Sequence, residues 1–175
     1  MSVNRLIFGV ALFAMAGLVS ASLEVSSSVP MRVVEIRLTD HKAGIDDFKW
    51  LNVGFKSLAV HRKGASRKTG WIDLMGATAL VDIVPLKDGR FKILGTRDLP
   101  AGRYDALRVQ FLPPEGELHV GKTPPLVVKD TIVAIDLDLR TQSDVPILVD
   151  LYAENLTDHT PKTYTVKVKE VRVGG

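Results

Sequence analysis

From Met31 onward the apolar residues recur at every second position rather than every third or fourth. Val34, Ile36 and Leu38 alternate with Glu35 and Arg37. Leu51, Val53 and Phe55 alternate with Asn52 and Gly54, and the phase then moves to Leu58 and Val60. A change of phase inside one run predicts a bulge near Lys56-Ser57. Leu107, Val109 and Phe111 continue the pattern, as do Ile147, Val149 and Leu151, and then Val166 and Val168. The clearest run is Val133, Ile135, Leu137 and Leu139, opposed by Asp136, Asp138 and Arg140. A period of two with one polar face is what an antiparallel sheet packed on one side requires.

Turn signals separate the runs: Asp88-Gly89, Pro100-Ala101-Gly102, Pro113-Pro114-Glu115-Gly116 and Pro124-Pro125. Roughly nine short strands at this spacing predict an all-β fold, an antiparallel β-sandwich. In the run LPAGRYDALRVQF, Pro100 presets a turn angle and Gly102 is expected to take a positive φ. Tyr104 stands at the strand entrance, where a tyrosine hydroxyl commonly pins a sandwich corner. Residues 41–48 have room for one helical turn, with Asp46 as its N-cap.

The first residues follow a different pattern. Arg5 precedes an uncharged apolar run from Leu6, and Val19-Ser20-Ala21 supplies small residues where a signal peptidase cuts. The expected organisation is a signal helix over residues 1–21, a leader or edge strand over 22–30, and a sandwich domain over 31–175. The alternative is an uncleaved anchor, at the short end of a membrane span, and this is the one membrane contact expected. Either outcome places the body outside the cytoplasm, secreted or in the cell envelope.

Composition narrows the function classes. The net charge is only +3, and the densest basic cluster, Arg62, Lys63, Arg67 and Lys68, is one short loop. With aromatics at 6% there is little to stack bases on, so nucleic acid is not expected. The chain has no cysteine, which excludes disulfides, thiolate metal sites and a lipid-modified Cys.

Candidate chemistry is sparse. Asp40, Asp46 and Asp47 form an acidic loop that suits a weak extracellular Ca²⁺ site, without the spacing of a dedicated one. No other cofactor is expected. Asp136 and Asp138 share one strand face, where a solvated row extended by Arg140 is the simpler reading. His41, His61, His119 and His159 lack zinc spacing. No nucleophile elbow, phosphate loop or dinucleotide fingerprint is present, so no enzymatic activity is expected. Trp50 lies on the phase opposite Leu51, Val53 and Phe55, and an outward indole offers a face for a sugar ring. Trp71 opens a strand and is expected to cap the core. Asn155-Leu156-Thr157 is an N-glycosylation pattern.

Several local patterns occur in a recognisable order. They are Arg37-Leu38-Thr39-Asp40, the pair Asp46-Asp47, Val60-His61 and the run Gly70-Trp71-Ile72-Asp73-Leu74. Val81-Asp82-Ile83, Leu86-Lys87-Asp88-Gly89, Leu94-Gly95, the run Leu99 to Tyr104, and Leu107-Arg108-Val109 complete the set. Over roughly residues 32–150 the chain resembles domain of unknown function family 4382. That is a bacterial and archaeal group of secreted or lipid-anchored β-sandwich modules. The resemblance implies a prealbumin-like or carbohydrate-binding-like Greek key with no established reaction and no catalytic residues. Many members begin after a lipid-modified Cys, which this chain lacks.

Two functions are therefore expected to compete. One is a non-catalytic surface sandwich that adheres, builds structure or self-associates through its edge strands, with Leu23 and Val25 of the leader spaced for one face of a donated strand. The other is a carbohydrate-binding module that meets a glycan through Trp50.

Overall fold

In the computed structural model, residues 28–40, 44–120, 123–157, 159 and 161–174 are described. The signal segment, most of the leader and His41 lie outside them. Among the described residues no helix is long and apolar enough to cross a membrane.

Ten strands follow in order: β1 (Met31–Asp40), β2 (Phe48–Arg62), β3 (Trp71–Asp73), β4 (Ala79–Asp82), β5 (Lys92–Pro100), β6 (Arg103–Leu118), β7 (Leu126–Val128), β8 (Thr131–Asp138), β9 (Val145–Asn155) and β10 (Tyr164–Val173). They make two sheets, β5-β1-β9-β10-β7 and β3-β2-β6-β8, with β4 also beside β2. The fold is the all-β sandwich that the period of two predicts. The first sheet is mixed, because β1 pairs with β9, and β10 with β7, in parallel. Alternation of side chains is the same in parallel and antiparallel strands, so the pattern carried no sign of this.

Strand faces match the alternation. Val34, Ile36 and Leu38 of β1 and Ile147, Val149 and Leu151 of β9 are fully buried. They pack with the inner face of the second sheet, Leu51, Val53, Phe55, Leu58 and Val60 of β2 and Leu107 and Val109 of β6. Each such side chain contributes about 1.5–3 kcal/mol on burial. Among the described residues the buried hydrophobic cluster falls between Val34 and Val166.

The long β2–β6 ribbon keeps its inner face apolar by shifting register. Phe55 pairs with Phe111 and Ser57 with Gln110, which leaves Lys56 as the extra residue of the predicted bulge. Gly54 pairs with Leu112 and Asn52 with Glu115, so the ladder skips Pro113 and Pro114. That segment reads as a turn in sequence, yet β6 runs straight through it. The two prolines stand where the ladder is already broken, the place a strand tolerates a missing N–H.

At the entrance to β6 the Tyr104 hydroxyl donates to the Pro100 carbonyl at 2.7 Å. Gly102, by contrast, is absent from the positive-φ positions, and its carbonyl accepts the Leu139 N–H. The corner is held by hydrogen bonds to its neighbours rather than by a left-handed glycine. Removing only the hydroxyl, in Tyr104→Phe, is expected to cost about 1 kcal/mol in chemical denaturation. An unchanged midpoint would show that the corner does not depend on it.

On one side of the sandwich the ladder of the second sheet ends at β8. The outer edge of β8 has no strand partner among the described residues. Its inward-facing Ile135 is only half-buried, and so is Val133, whereas Leu137 further along is fully covered. β10 of the other sheet lies close to β8, and its Val168, Val171 and Val173 are also half-buried.

Candidate functional site

Gly44 adopts φ 78°, and a Cβ there would lie 2.0 Å from the Ala153 carbonyl oxygen. This close approach starts a 3-10 turn, Ile45–Asp47, whose first residue is buried. Gly44 is the cap of the turn, and Asp46 sits within it rather than capping it. A positive φ at the cap serves the sharp entry that an aspartate there does not provide.

The turn aims its two acids in different directions. Asp46 accepts from Lys87 Nζ at 2.9 Å. Asp47 accepts from Lys162 Nζ at 2.9 Å and makes a short hydrogen bond from the Tyr164 hydroxyl. The Asp47 carbonyl also receives the His119 N–H, and the Tyr164 N–H donates to the Pro125 carbonyl. Tyr164 opens β10 with its ring edge-on to Phe48, centroids 4.7 Å apart, and is fully buried. Its hydroxyl and the Lys162 ammonium hold the Asp47 carboxyl below the usual carboxylate range. Burial, and then the hydrogen bond to Asp47, push the Tyr164 hydroxyl up.

Beside this triad lies an open cavity of about 700 Å³ at one end of the sandwich. Leu118, Val120, Pro124, Pro125 and Pro161 supply apolar walls, and His119, Lys162, Asp47 and Tyr164 supply polar groups. A concave apolar surface with a few convergent polar groups suits a ligand with an apolar body. Asp47 and Tyr164 lie 117 positions apart. No spacing rule reaches that far, and the Pro124-Pro125 signal reads only as a turn.

A second constellation lies on the outer face of the other sheet. His61 pairs with Ala106 and Arg62 with Tyr104, so Asp105 is the extra residue between them. The bulge lets Asp105 Oδ1 reach His61 Nδ1 at 2.7 Å. That hydrogen bond holds the Asp105 carboxyl below its usual range, so it is ionised at neutral pH and the imidazole donates from Nδ1. His61 Nε2 is buried with no hydrogen bond and faces Gly70, where a Cβ would come within 2.9 Å of it. Trp71 meets His61 edge-on and carries the Arg108 guanidinium over its ring, 4.6 Å from the centroid. Truncating Asp105 to alanine strands a buried donor. The expected cost is about 1–3 kcal/mol, read from urea denaturation, and an unchanged midpoint would overturn it.

The candidates named from sequence fall in separate places. Asp40 ends β1, nearly fully buried, opposite Leu151. Asp46 and Asp47 each meet a lysine. Among the described residues no group of three His, Asp or Glu is placed to hold a metal. Trp50 is half-buried on the outer face, its indole N–H donating to Glu117 Oε2 at 3.1 Å. Trp71 does not cap the core. It pairs with His61 on the outer face, and the next residue, Ile72, turns inward against the core. Asp136 is exposed and Asp138 is gripped by Arg140, which lowers its carboxyl to about 2. Asn155 is exposed at the end of β9, its side-chain oxygen accepting the Thr157 N–H.

Residues 33–169, well over half of the chain, match the family described as Domain of unknown function (DUF4382). The chain belongs to that family. No curated protein and no solved structure matches it. The match begins within β1 and ends within β10, so the DUF4382 domain here is the whole two-sheet sandwich and includes both constellations.

Proposed function

We propose that this DUF4382 chain is a non-catalytic β-sandwich of the cell surface or envelope, exported by its N-terminal segment, with an adhesive, structural or self-assembling role. The observation that carries the reading is the outer edge of β8, which has no strand partner among the described residues, with half-buried Val133 and Ile135 behind it. Unpaired main-chain groups over an incompletely covered core are a template for another strand. Most polar groups of each constellation are engaged within it, an arrangement suited to holding shape. Sedimentation velocity on the chain from residue 22 onward, over a range of concentrations, tests the proposal. Species larger than a monomer that grow with concentration are expected. A monomer throughout overturns it. Repeating the run with Ca²⁺ tests the acidic corner, where a weak site is expected to change the profile only slightly.

The second reading is a carbohydrate-binding module. It is favoured by Trp50, half-exposed on a sheet face with its indole oriented by Glu117 and with Lys49 on the same carboxylate at 3.4 Å. Glycan-array binding that disappears in Trp50→Ala supports it. A silent array, or binding that survives the substitution, sinks it.

A further inference from the structure

We infer that the loop between β2 and β3, residues 62–70, is a docking surface for an acidic polysaccharide. The inference rests on the adhesive part of the proposed role and names the partner, and it uses none of the residues around Trp50.

The charge of the chain is unevenly placed. The loop holds Arg62, Lys63, Arg67 and Lys68 and no acid, whereas the whole chain carries a net charge of only +3. Outside this loop the charges nearly balance. All four basic residues are exposed. Arg67 reaches Asp105, Nη2 to Oδ2 at 3.4 Å. Among the described residues no carboxylate stands within ion-pair distance of Arg62, Lys63 or Lys68. The neighbouring Arg103 and Arg140 differ, because they meet Asp136 and Asp138.

The loop is held in one shape. The Arg62 N–H donates to the Gly70 carbonyl at 2.8 Å, and the Gly70 N–H donates to the Ser66 carbonyl at 2.7 Å. The Lys63 N–H donates to the Arg103 carbonyl at 2.9 Å, which fastens the loop to the start of β6. From below, Asp105 joins Arg67 to the buried His61, and the Trp71 indole N–H donates to the Arg67 carbonyl at 2.8 Å. The Arg62 guanidinium lies against the corner at Gly102, 3.8 Å from where a Cβ there would stand. Cations fixed beforehand reduce the ordering that binding must otherwise supply.

The residues between the cations select the kind of partner. Gly64, Ala65, Ser66 and Thr69 are small or hydroxylated, and all are exposed. A bilayer surface is gripped by apolar side chains as well as by charge, and between the cations there is none larger than alanine. A protein partner is anchored on aromatic side chains seated in pockets, which these residues do not supply. Single-stranded nucleic acid stacks on an open ring. The indole beside the loop, Trp71, is covered by Arg108 on its face and meets His61 edge-on. Asp73 of β3 and Asp136 of β8 are exposed on the flanks, so the positive area is one loop wide and ill-matched to the two charged strands of a duplex. A flexible glycan with carboxylates or sulfates at intervals suits this surface. The cations meet its charges, and the small hydroxylated residues beside them leave room for its own hydroxyls.

Isothermal titration of the chain from residue 22 with polygalacturonate tests the inference. Binding is expected at low ionic strength and should fall steeply above about 0.15 M salt. Arg62→Gln/Lys63→Gln/Lys68→Gln should weaken it about tenfold. Lys92→Gln/Arg97→Gln/Lys129→Gln removes the same charge from exposed positions elsewhere and should leave it nearly unchanged. If Arg62→Gln disturbs the corner at Gly102, Lys63→Glu/Lys68→Glu gives the same reading. No binding, or equal losses in the two triple variants, overturns the inference. Equal binding of neutral dextran overturns it as well, and so does stronger binding of phosphatidylglycerol vesicles or duplex DNA at the same concentration of charge. Silence with polygalacturonate in a chain that still assembles overturns the inference and leaves the self-assembly reading standing. Binding by a chain that stays monomeric sustains the loop and removes that reading.

Discussion

Gly44→Ala is expected to lose about 4 kcal/mol or more of stability, from two costs that add. At φ 78° any side chain meets its own backbone, which costs roughly 1–2 kcal/mol. The new Cβ would also sit 2.0 Å from the Ala153 oxygen and 2.9 Å from its carbonyl carbon. Both are backbone atoms of β9, a central strand, and neither moves without disturbing the ladder. Gly64 separates the two costs. It has φ 84° and nothing within 4 Å of its Cβ position, so Gly64→Ala should lose only about 1–2 kcal/mol. Urea denaturation of the two variants measures the difference. Equal losses would show that the contact with Ala153 is relieved cheaply. Because Gly44 caps the turn that presents Asp46 and Asp47, its replacement should also disorganise the cavity wall.

The second large effect is at Tyr164. Tyr164→Ala empties a fully buried site packed against Phe48, and the expected loss is about 3–5 kcal/mol. Tyr164→Phe keeps the ring and removes the donor to Asp47, for about 1 kcal/mol. The pH dependence separates hydroxyl from ring. The Asp47 carboxyl is lowered from 3.8 in the fold, so its contribution is present above that value and is lost as pH falls through the lower folded one. The Tyr164 hydroxyl is raised from 10.0, so its contribution is present below 10.0 and is lost as pH rises through the higher folded one. Tyr164→Phe should therefore flatten both limbs of the stability profile, with its loss largest near neutrality, where both contributions are present. Limbs identical to the parent's would mean that the hydrogen bond does not couple the two groups. Asp47 is partly exposed, so its share is reduced by solvent screening.

Local features were legible to different degrees. The bulge at Lys56 was readable because a bulge moves the apolar phase by one, and the phase is written in the residues themselves. Tyr104 was readable because the donor and its acceptor Pro100 are four positions apart. Pro113-Pro114 misled because proline marks both a turn and a broken ladder, and only pairing with β2 separates these. Trp71 misled because a strand of three residues has too little alternation to set its phase. The lysine partners of Asp46 and Asp47, Lys87 and Lys162, were not readable, because they lie far along the chain.

By itself the sequence determined the period of two, and with it the strands, their inner faces and the two-layer architecture. Side-chain alternation and burial are local consequences of the chain, and they are enough to specify a sandwich. Only the tertiary structure decided the parallel pairs, the place of β8 at the end of its ladder, the cavity beside Asp47, Lys162 and Tyr164, and the union of His61 with Asp105. Each of these joins segments distant along the chain, and the energy that selects among such pairings is shared by the whole core, so no short pattern carries it.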